Sequence, residues 1–405
     1  MNINRQTYLR ITDTGAFDKF MFFTTLVLVL IGVFMVYSSS SVVAPNSDGE
    51  IKVLNDLRYL KKHLFSVCLG YFLLVVFYKL RIEILKKRAI IILLMAFALL
   101  GTVFLPGIGL TVNGARRWVR LLFFTFQPSE FMKVAMVIFL SWYLSREKYK
   151  SNFISFIIPI LIMGTIQGVL LLQPDFGSAL SIGLLTFSLL FISGVKMKYL
   201  LSTSVVLLPA VVKLLMEPYR LKRILSFLDP WADEKQGGFQ LIQSFIALGN
   251  GGLYGVGIGK STQKLFFLPE SKTDFIFSIV GEEMGFIGTM LIIMLFLMFF
   301  AKGIQISRRI NDDFLHYLST GLLLMIVYQA VINMGVVSGL LPTKGLPLPF
   351  ISYGGTSMIV NLSVVGLLLN IAKGEEIGPE VAINRNYVKK LNKRTGRVIY
   401  YDRKV

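Results

Sequence analysis

The chain has one cysteine, Cys68, and two histidines, His63 and His316. A lone cysteine excludes an intramolecular disulfide and any metal site built on paired thiolates. Two histidines leave a zinc site or a Ser-His-Asp triad short of partners. Charge is also scarce, at 16% of 405 residues against 54% hydrophobic. That balance lies far from the usage of soluble globular domains. Acidic residues number only 23 against 42 Lys and Arg, a net charge of +19. The basic residues are scattered between apolar runs rather than gathered in one domain, so membrane topology explains them and no nucleic-acid partner is expected.

What the chain has is long apolar runs. The first, from Phe20 to Val43, is too long for a signal-peptide core and lacks a small-residue cleavage site after it, so it reads as a retained span. Further runs of roughly 18 to 28 residues, enough to cross about 30 Å of hydrocarbon, begin near His63, Ala89, Ser129, Phe153, Gly177, Tyr199, Phe275, Phe314 and Gly355. The fold class expected is an all-α polytopic membrane protein with about ten transmembrane helices. Residues 1–19 form an N-terminal segment, 20–373 the membrane domain and 374–405 a basic tail. Lys and Arg concentrate in one alternating set of loops, which places both termini in the cytoplasm. The segments with unusual polar chemistry then fall on the opposite, extracytoplasmic face. They include a long loop, 217–274, between spans seven and eight, whose YRLKRILSF and FQLIQSFIAL segments have the apolar spacing of short surface helices, with Phe239, Ile242, Phe245 and Ile246 on one side.

Four segments carry candidate chemistry. In NGARRWVRLLFFTFQPSEFMK, Arg116 and Arg117 have forks suited to phosphate oxygens or to anchoring at the interface. Pro128 suits a first helical position, and Glu130 and Lys133 share one face at i, i+3. In Gln173-Pro174-Asp175, Asp175 is a candidate helix cap. In KLFFLPESKTDFIFSIVGEEMG, Asp274 is expected in the first turn of the eighth span, heading a stripe with Ser278, Gly281 and Gly285, while Glu283 points away and Glu282 lies between. The stripe also suits close helix packing, and the two glutamates read as structural support or an internal ion pair. In LPTKGLPLPFISYGGTS, three prolines forbid a regular helix; Lys344, with Ser352, Gly354 and Gly355, is a candidate anion-binding set, a plain turn being the alternative. Residues 249–259, rich in glycine and ending GVGIGKS, tempt towards a phosphate loop. Tyr254 stands where GxxxxGK requires glycine, so a closely packed loop is the expectation.

NGARRW with QPSE, QPDFGSA, GNGGLYGVGIGKSTQKLFFLPESKTDFIFSIVGEEMG and GLLPTKGLPLPFISYGG, in this order, resemble the shape, elongation, division and sporulation (SEDS) family, most closely its division branch. The likeness covers most of the chain. It departs mildly from the family pattern at Lys272, where histidine is common, and at Phe176, where leucine is. The resemblance implies a glycosyltransferase that polymerises lipid II into peptidoglycan strands at the outer face of the cytoplasmic (inner) membrane. It matches Asp274 to the family's essential aspartate, here read as general base, and implies a class B penicillin-binding transpeptidase, other division proteins and membrane lipids as partners. Arg116, Arg117, Lys133 and Lys344 are then expected to face the departing pyrophosphate. A magnesium or manganese ion would share that task, although the sequence shows no cage for one. A lipid II flippase and a transpeptidase-recruiting scaffold are the competing readings.

Overall fold

The computed structural model describes residues 18–45, 51–55, 57–112, 114–120, 125–146, 153–265, 267–376, 387–392 and 397–402. Arg5, Arg10 and Asn113, most of the N-terminal segment and much of the basic tail lie outside these. Helices occupy all ten of the expected runs: α1 (Lys19–Ser40), α2 (Leu57–Lys79), α4 (Ala89–Thr102), α5 (Pro128–Arg146), α6 (Phe153–Leu172), α7 (Phe176–Ile192), α8 (Met197–Leu215), α11 (Ile276–Arg309), α12 (Asp313–Val337) and α13 (Gly355–Glu376). Among the described residues α1, α2, α11, α12 and α13 are long and apolar enough to cross a membrane, and three more apolar helices are shorter. Large apolar side chains such as Leu94, Leu161, Val205 and Val206 are left facing outwards, as a lipid-embedded bundle requires. The protein is a multi-pass membrane protein.

Small β elements, absent from the sequence expectation, decorate the helices. A hairpin pairs β1 (Ser41–Pro45) with β2 (Ile51–Asn55). A three-stranded antiparallel sheet joins β3 (Gly109–Val112), β4 (Ala115–Arg120) and β5 (Thr125–Phe126). In the tail, β6 (Tyr387–Asn392) pairs with β7 (Arg397–Asp402). The remaining helices are short: α3 (Ile82–Lys87), α9 (Pro218–Leu228) and α10 (Phe239–Gly251).

The buried side chains form two clusters. One gathers α1, α2, α11, α12 and α13; the other gathers α4, α5, α6 and α7. Small residues let the helices approach. On α2, His63, Val67, Gly70 and Leu74 recur at helical spacing on the buried side, and a methyl on Gly366 of α13 would lie 2.4 Å from Leu74 O.

The long loop folds back onto the bundle. Helix α10 seats its buried residues Leu241, Ile242, Ser244, Ala247 and Gly251 on the stripe of α11: Ser244 and Ser278 share a hydrogen bond of 2.7 Å, and Ser244 Oγ donates to Val337 O at 2.8 Å. A methyl on Gly251 would fall 1.9 Å from Gly281 O. Of the four residues on the apolar side expected for a surface helix, Ile242 is fully buried while Phe239, Phe245 and Ile246 stay partly exposed; small residues make the close approach to the small-residue stripe. Gly285, at φ 67° and ψ −164°, breaks α11 into two helices. The glycine-rich loop fills the break: Val256 N donates to Glu282 O at 2.9 Å, and Phe286 N donates to Gly252 O at 2.9 Å. Irregular backbone is tolerated at such a place because its polar groups are paired.

Glu282 and Glu283 tie this loop down. Glu282 accepts from Ser261 Oγ, from Thr262 N at 3.0 Å and Oγ1 at 2.9 Å, and from Gln263 N at 3.3 Å. Glu283 pairs with Lys264 at 2.8 Å, both side chains at most 1% exposed, and accepts from Ser38 on α1. Removing one member of a buried pair strands the other charge and costs about 3–5 kcal/mol. Lys264→Met should therefore lower the thermal unfolding midpoint in detergent sharply, and Lys264→Met with Glu283→Leu should restore most of it.

Candidate functional site

Asp274 lies in the turn before α11, which begins at Ile276 after Phe275. This corrects the expectation that it sits inside the helix's first turn. Phe275 N donates to Glu270 O at 3.2 Å, so a non-helical turn over 270–275 ends where α11 starts. Asp274 is half-buried. Loss of hydration pushes its carboxyl up to about 7; the Glu270 carboxylate adds to that shift, and the Arg117 and Arg223 cations oppose it. Desolvation and like charge both disfavour the ionised carboxylate.

Segments from distant parts of the chain meet around this carboxyl. The three-proline segment comes closest: a methyl on Gly345 would stand 3.1 Å from Asp274 Oδ2. Ser352 Oγ donates to Thr273 O, and Tyr353 N donates to Lys272 O at 2.9 Å. Helix α9 contributes Arg223, whose Nη1 donates to Thr343 O at 3.4 Å. Strand β4 contributes Arg117, whose Nη2 donates to Pro174 O. Its Nε is buried, and among the described residues it has no hydrogen-bond partner. Lys344 lies 4.5 Å from the centre of the Phe176 ring, and desolvation lowers its ammonium to about 8. It stays a cation at neutral pH and is poorly hydrated, a good setting for an anion.

The structure separates the two arginines that the sequence pairs. Side chains alternate across a strand: Arg116 is exposed and donates from Nε to Thr111 Oγ1 at 3.2 Å, whereas Arg117 turns to the Pro174 turn. Lys133 is also placed otherwise than expected. It is 1% exposed, pairs with Glu130 at 2.8 Å and donates to Gln329 Oε1 at 3.4 Å. The pair holds α5 to α12 in the interior, and its cation is already matched. Asp175 caps α7 through Ser178 N at 3.2 Å and accepts from Ser129 Oγ at 3.1 Å and Gln127 Nε2 at 3.3 Å. Ser352, Gly354 and Gly355 brace the proline segment: Ser352 Oγ accepts from Leu348 N at 2.7 Å, while Gly354 packs beside Pro347 and Gly355 beside Ser66.

Glu270 and Arg223, which face Asp274, were missed from sequence, as were two amides beneath the site. Gln329 and Asn333, one turn apart on α12, are buried amides. Gln329 Nε2 donates to Pro347 O at 2.8 Å and Ser357 Oγ at 3.0 Å; Asn333 Nδ2 donates to Asp274 O and to Leu346 O, both at 2.7 Å. The available signal was two amides at i, i+4 inside an apolar run, where unpaired polar groups are costly.

Residues 18–377 match the family model for FtsW, RodA and SpoVE, described as "Cell cycle protein". The chain belongs to the FtsW/RodA/SpoVE family. It is 42% identical over 359 residues to a probable peptidoglycan glycosyltransferase FtsW of Geobacter sp. strain M18, covering 88% of this chain and 96% of that one. Stage V sporulation protein E of Bacillus subtilis is 38% identical, with 88% and 97% covered. Among solved structures, a chain from a study of the coordination of polymerization and crosslinking by a peptidoglycan synthase complex superposes with TM-score 0.74 at 29% identity, covering 89% of this chain and 98% of that one. The RodA of Thermus thermophilus superposes with TM-score 0.65 at 25% identity and the same coverage.

The charges around Asp274 set the direction of its titration. Carbodiimide labelling of Asp274, read by mass spectrometry, needs the protonated acid and should fade as pH rises through about 7. Glu270→Gln should move that midpoint down, and Arg117→Gln should move it up.

Proposed function

We propose that this chain polymerises lipid II into peptidoglycan glycan strands, with Asp274 as general base, at the outer face of the cytoplasmic membrane and in cell division. The geometry that carries the reading is a half-buried carboxyl crowded by Gly345 of the proline segment and facing Arg117, whose buried Nε has no hydrogen-bond partner among the described residues; lost hydration pushes that carboxyl up to about 7, the poise of a base working near neutral pH. In the step envisaged, the Asp274 carboxylate takes the proton from the acceptor sugar hydroxyl. The hydroxyl oxygen then forms a bond to the donor's anomeric carbon as the bond from that carbon to the pyrophosphate oxygen breaks. The electron pair leaves with undecaprenyl pyrophosphate, and the protonated Asp274 later releases its proton to water.

Arg117 and Lys344 are the cations we assign to the leaving pyrophosphate, with Arg223 at the rim. Charge grows there in the transition state, and fixed donors stabilise it. Arg116 is assigned a looser contact at the surface. Lys133 and Glu130 become internal support, as do Asp175, Glu282, Glu283, Ser352, Gly354 and Gly355. Among the described residues no three His, Cys, Asp or Glu side chains gather into a metal-holding set.

A ten-span topology with cytoplasmic termini accompanies this reading, since it puts the Asp274 segments on the face where lipid II is presented. The likeness to a chain from a peptidoglycan synthase complex that coordinates polymerization and crosslinking supports a transpeptidase partner of the class B penicillin-binding kind. A general base contributes about 10²–10⁴-fold in rate. Asp274→Asn, purified with such a partner and given lipid II, should lose glycan synthesis by about that factor. Near wild-type polymer would refute the base. Translocation of labelled lipid II across liposomes without polymer would favour a flippase, and an Asp274→Asn protein that still supports division would favour a scaffold.

A further inference from the structure

Asn333 has no part in the chemistry just described, yet of the two α12 amides at the site it is the one that bonds the Asp274 peptide. It is 2% exposed. Its Nδ2 uses both protons, one on Asp274 O and one on Leu346 O, each at 2.7 Å. These carbonyls belong to different segments. One is the peptide that carries the carboxyl; the other belongs to the strap 343–347, whose Gly345 is close enough that a methyl there would stand 3.1 Å from Asp274 Oδ2. Three backbone carbonyls of this strap are held by side chains: Thr343 O by Arg223, Leu346 O by Asn333 and Pro347 O by Gln329.

The Asp274 carbonyl also lies outside the ladder of α11, whose first turn closes instead from Ser278 N to Phe275 O at 3.1 Å. Without Asn333, this carbonyl and that of Leu346 lose a paired donor in a buried place, where a polar group left unsatisfied is costly. Both segments would shift to find other donors or water. The strap would lift from the carboxyl and the carboxyl would swing from its place.

We infer that Asn333 is a positioning residue for Asp274: one carboxamide fixes both the peptide that carries the base and the strap that crowds it. This rests on the reading of Asp274 as base. The charged groups facing that carboxyl are Glu270 in its own turn, Arg117 on β4 and Arg223 on α9; Asn333 carries no charge, so its effect on Asp274 is through geometry and hydration.

The test uses full-length protein in liposomes with lipid II, comparing wild type, Asn333→Leu, Asn333→Ser, Asn333→Gln and Asp274→Asn. Misplacing a reacting group by about 1 Å costs on the order of 10²-fold. Asn333→Leu and Asn333→Ser should each lower kcat by about that factor while KM stays within about twofold. Their carbodiimide-labelling midpoint at Asp274 should fall below that of wild type, because a lifted strap rehydrates the carboxyl. Asn333→Gln, which keeps the donor pair, should recover at least about tenfold of the lost rate. Leu and Ser differ in bulk, so a variant that fails to fold leaves the other to decide. A folded Leu or Ser variant with wild-type kcat, or with reduced kcat but an unmoved labelling midpoint, would overturn the inference. An Asp274→Asn protein with wild-type rate would instead overturn the base reading beneath it, and is told apart because that arm leaves Asn333 untouched.

Discussion

Irregular backbone among apolar helices is stable only where its carbonyls and amides find partners, and this requirement shapes the whole site. A membrane interior offers no water to satisfy a broken helix or a proline-rich strap. The structure answers with buried side chains at fixed places. Glu282 collects the amides and hydroxyls of 261–263. The glycine-rich loop pairs with the open ends of α11 around Gly285. Gln329, Asn333 and Ser352 hold the strap and the 272–274 turn to α12 and to the start of α13. Asp274 inherits its position from these bonds, and its raised pKa from the protein they pack around it.

Charge is managed by the same economy of partners. Among the described residues the interior holds two ion pairs, Lys133 with Glu130 and Lys264 with Glu283, each matched where the low dielectric would penalise a single charge. Nearer the surface, Arg117 and Arg223 face the carboxyls of Asp274 and Glu270, and Lys344 follows on the strap beside Phe176. That imbalance leaves a basic rim beside a reluctant acid, which is the arrangement a pyrophosphate leaving group and a proton acceptor call for.

Much of the helical scaffold was legible in the sequence, because runs of twenty apolar residues have few other uses and Pro128 and Asp175 mark helix starts by known chemistry. The small-residue stripe below Asp274 also signalled a close neighbour, which is α10. What was not legible is what long-range contact decides. NGARRWVR shows little alternation of apolar and polar residues, so the strand that parts Arg116 from Arg117 was invisible until β3 paired with it. Lys133 reads as a charge at a helix mouth, yet burial beside Glu130 follows from where α12 packs. Gln329 and Asn333 pass as ordinary polar residues in an apolar run, since their partners are backbone carbonyls contributed by the 346–347 strap and by Asp274, which local sequence does not display.

The central claim is that crowding by the strap and by Glu270 poises Asp274 as a base near neutral pH. The direct measurement is the pH dependence of kcat/KM for lipid II polymerisation by the wild-type protein with its transpeptidase partner. A base must be ionised to act, so the rate should fall as pH drops through about 7. A rate that stays level down to about pH 4, the range of an ordinary hydrated aspartate, would contradict the account.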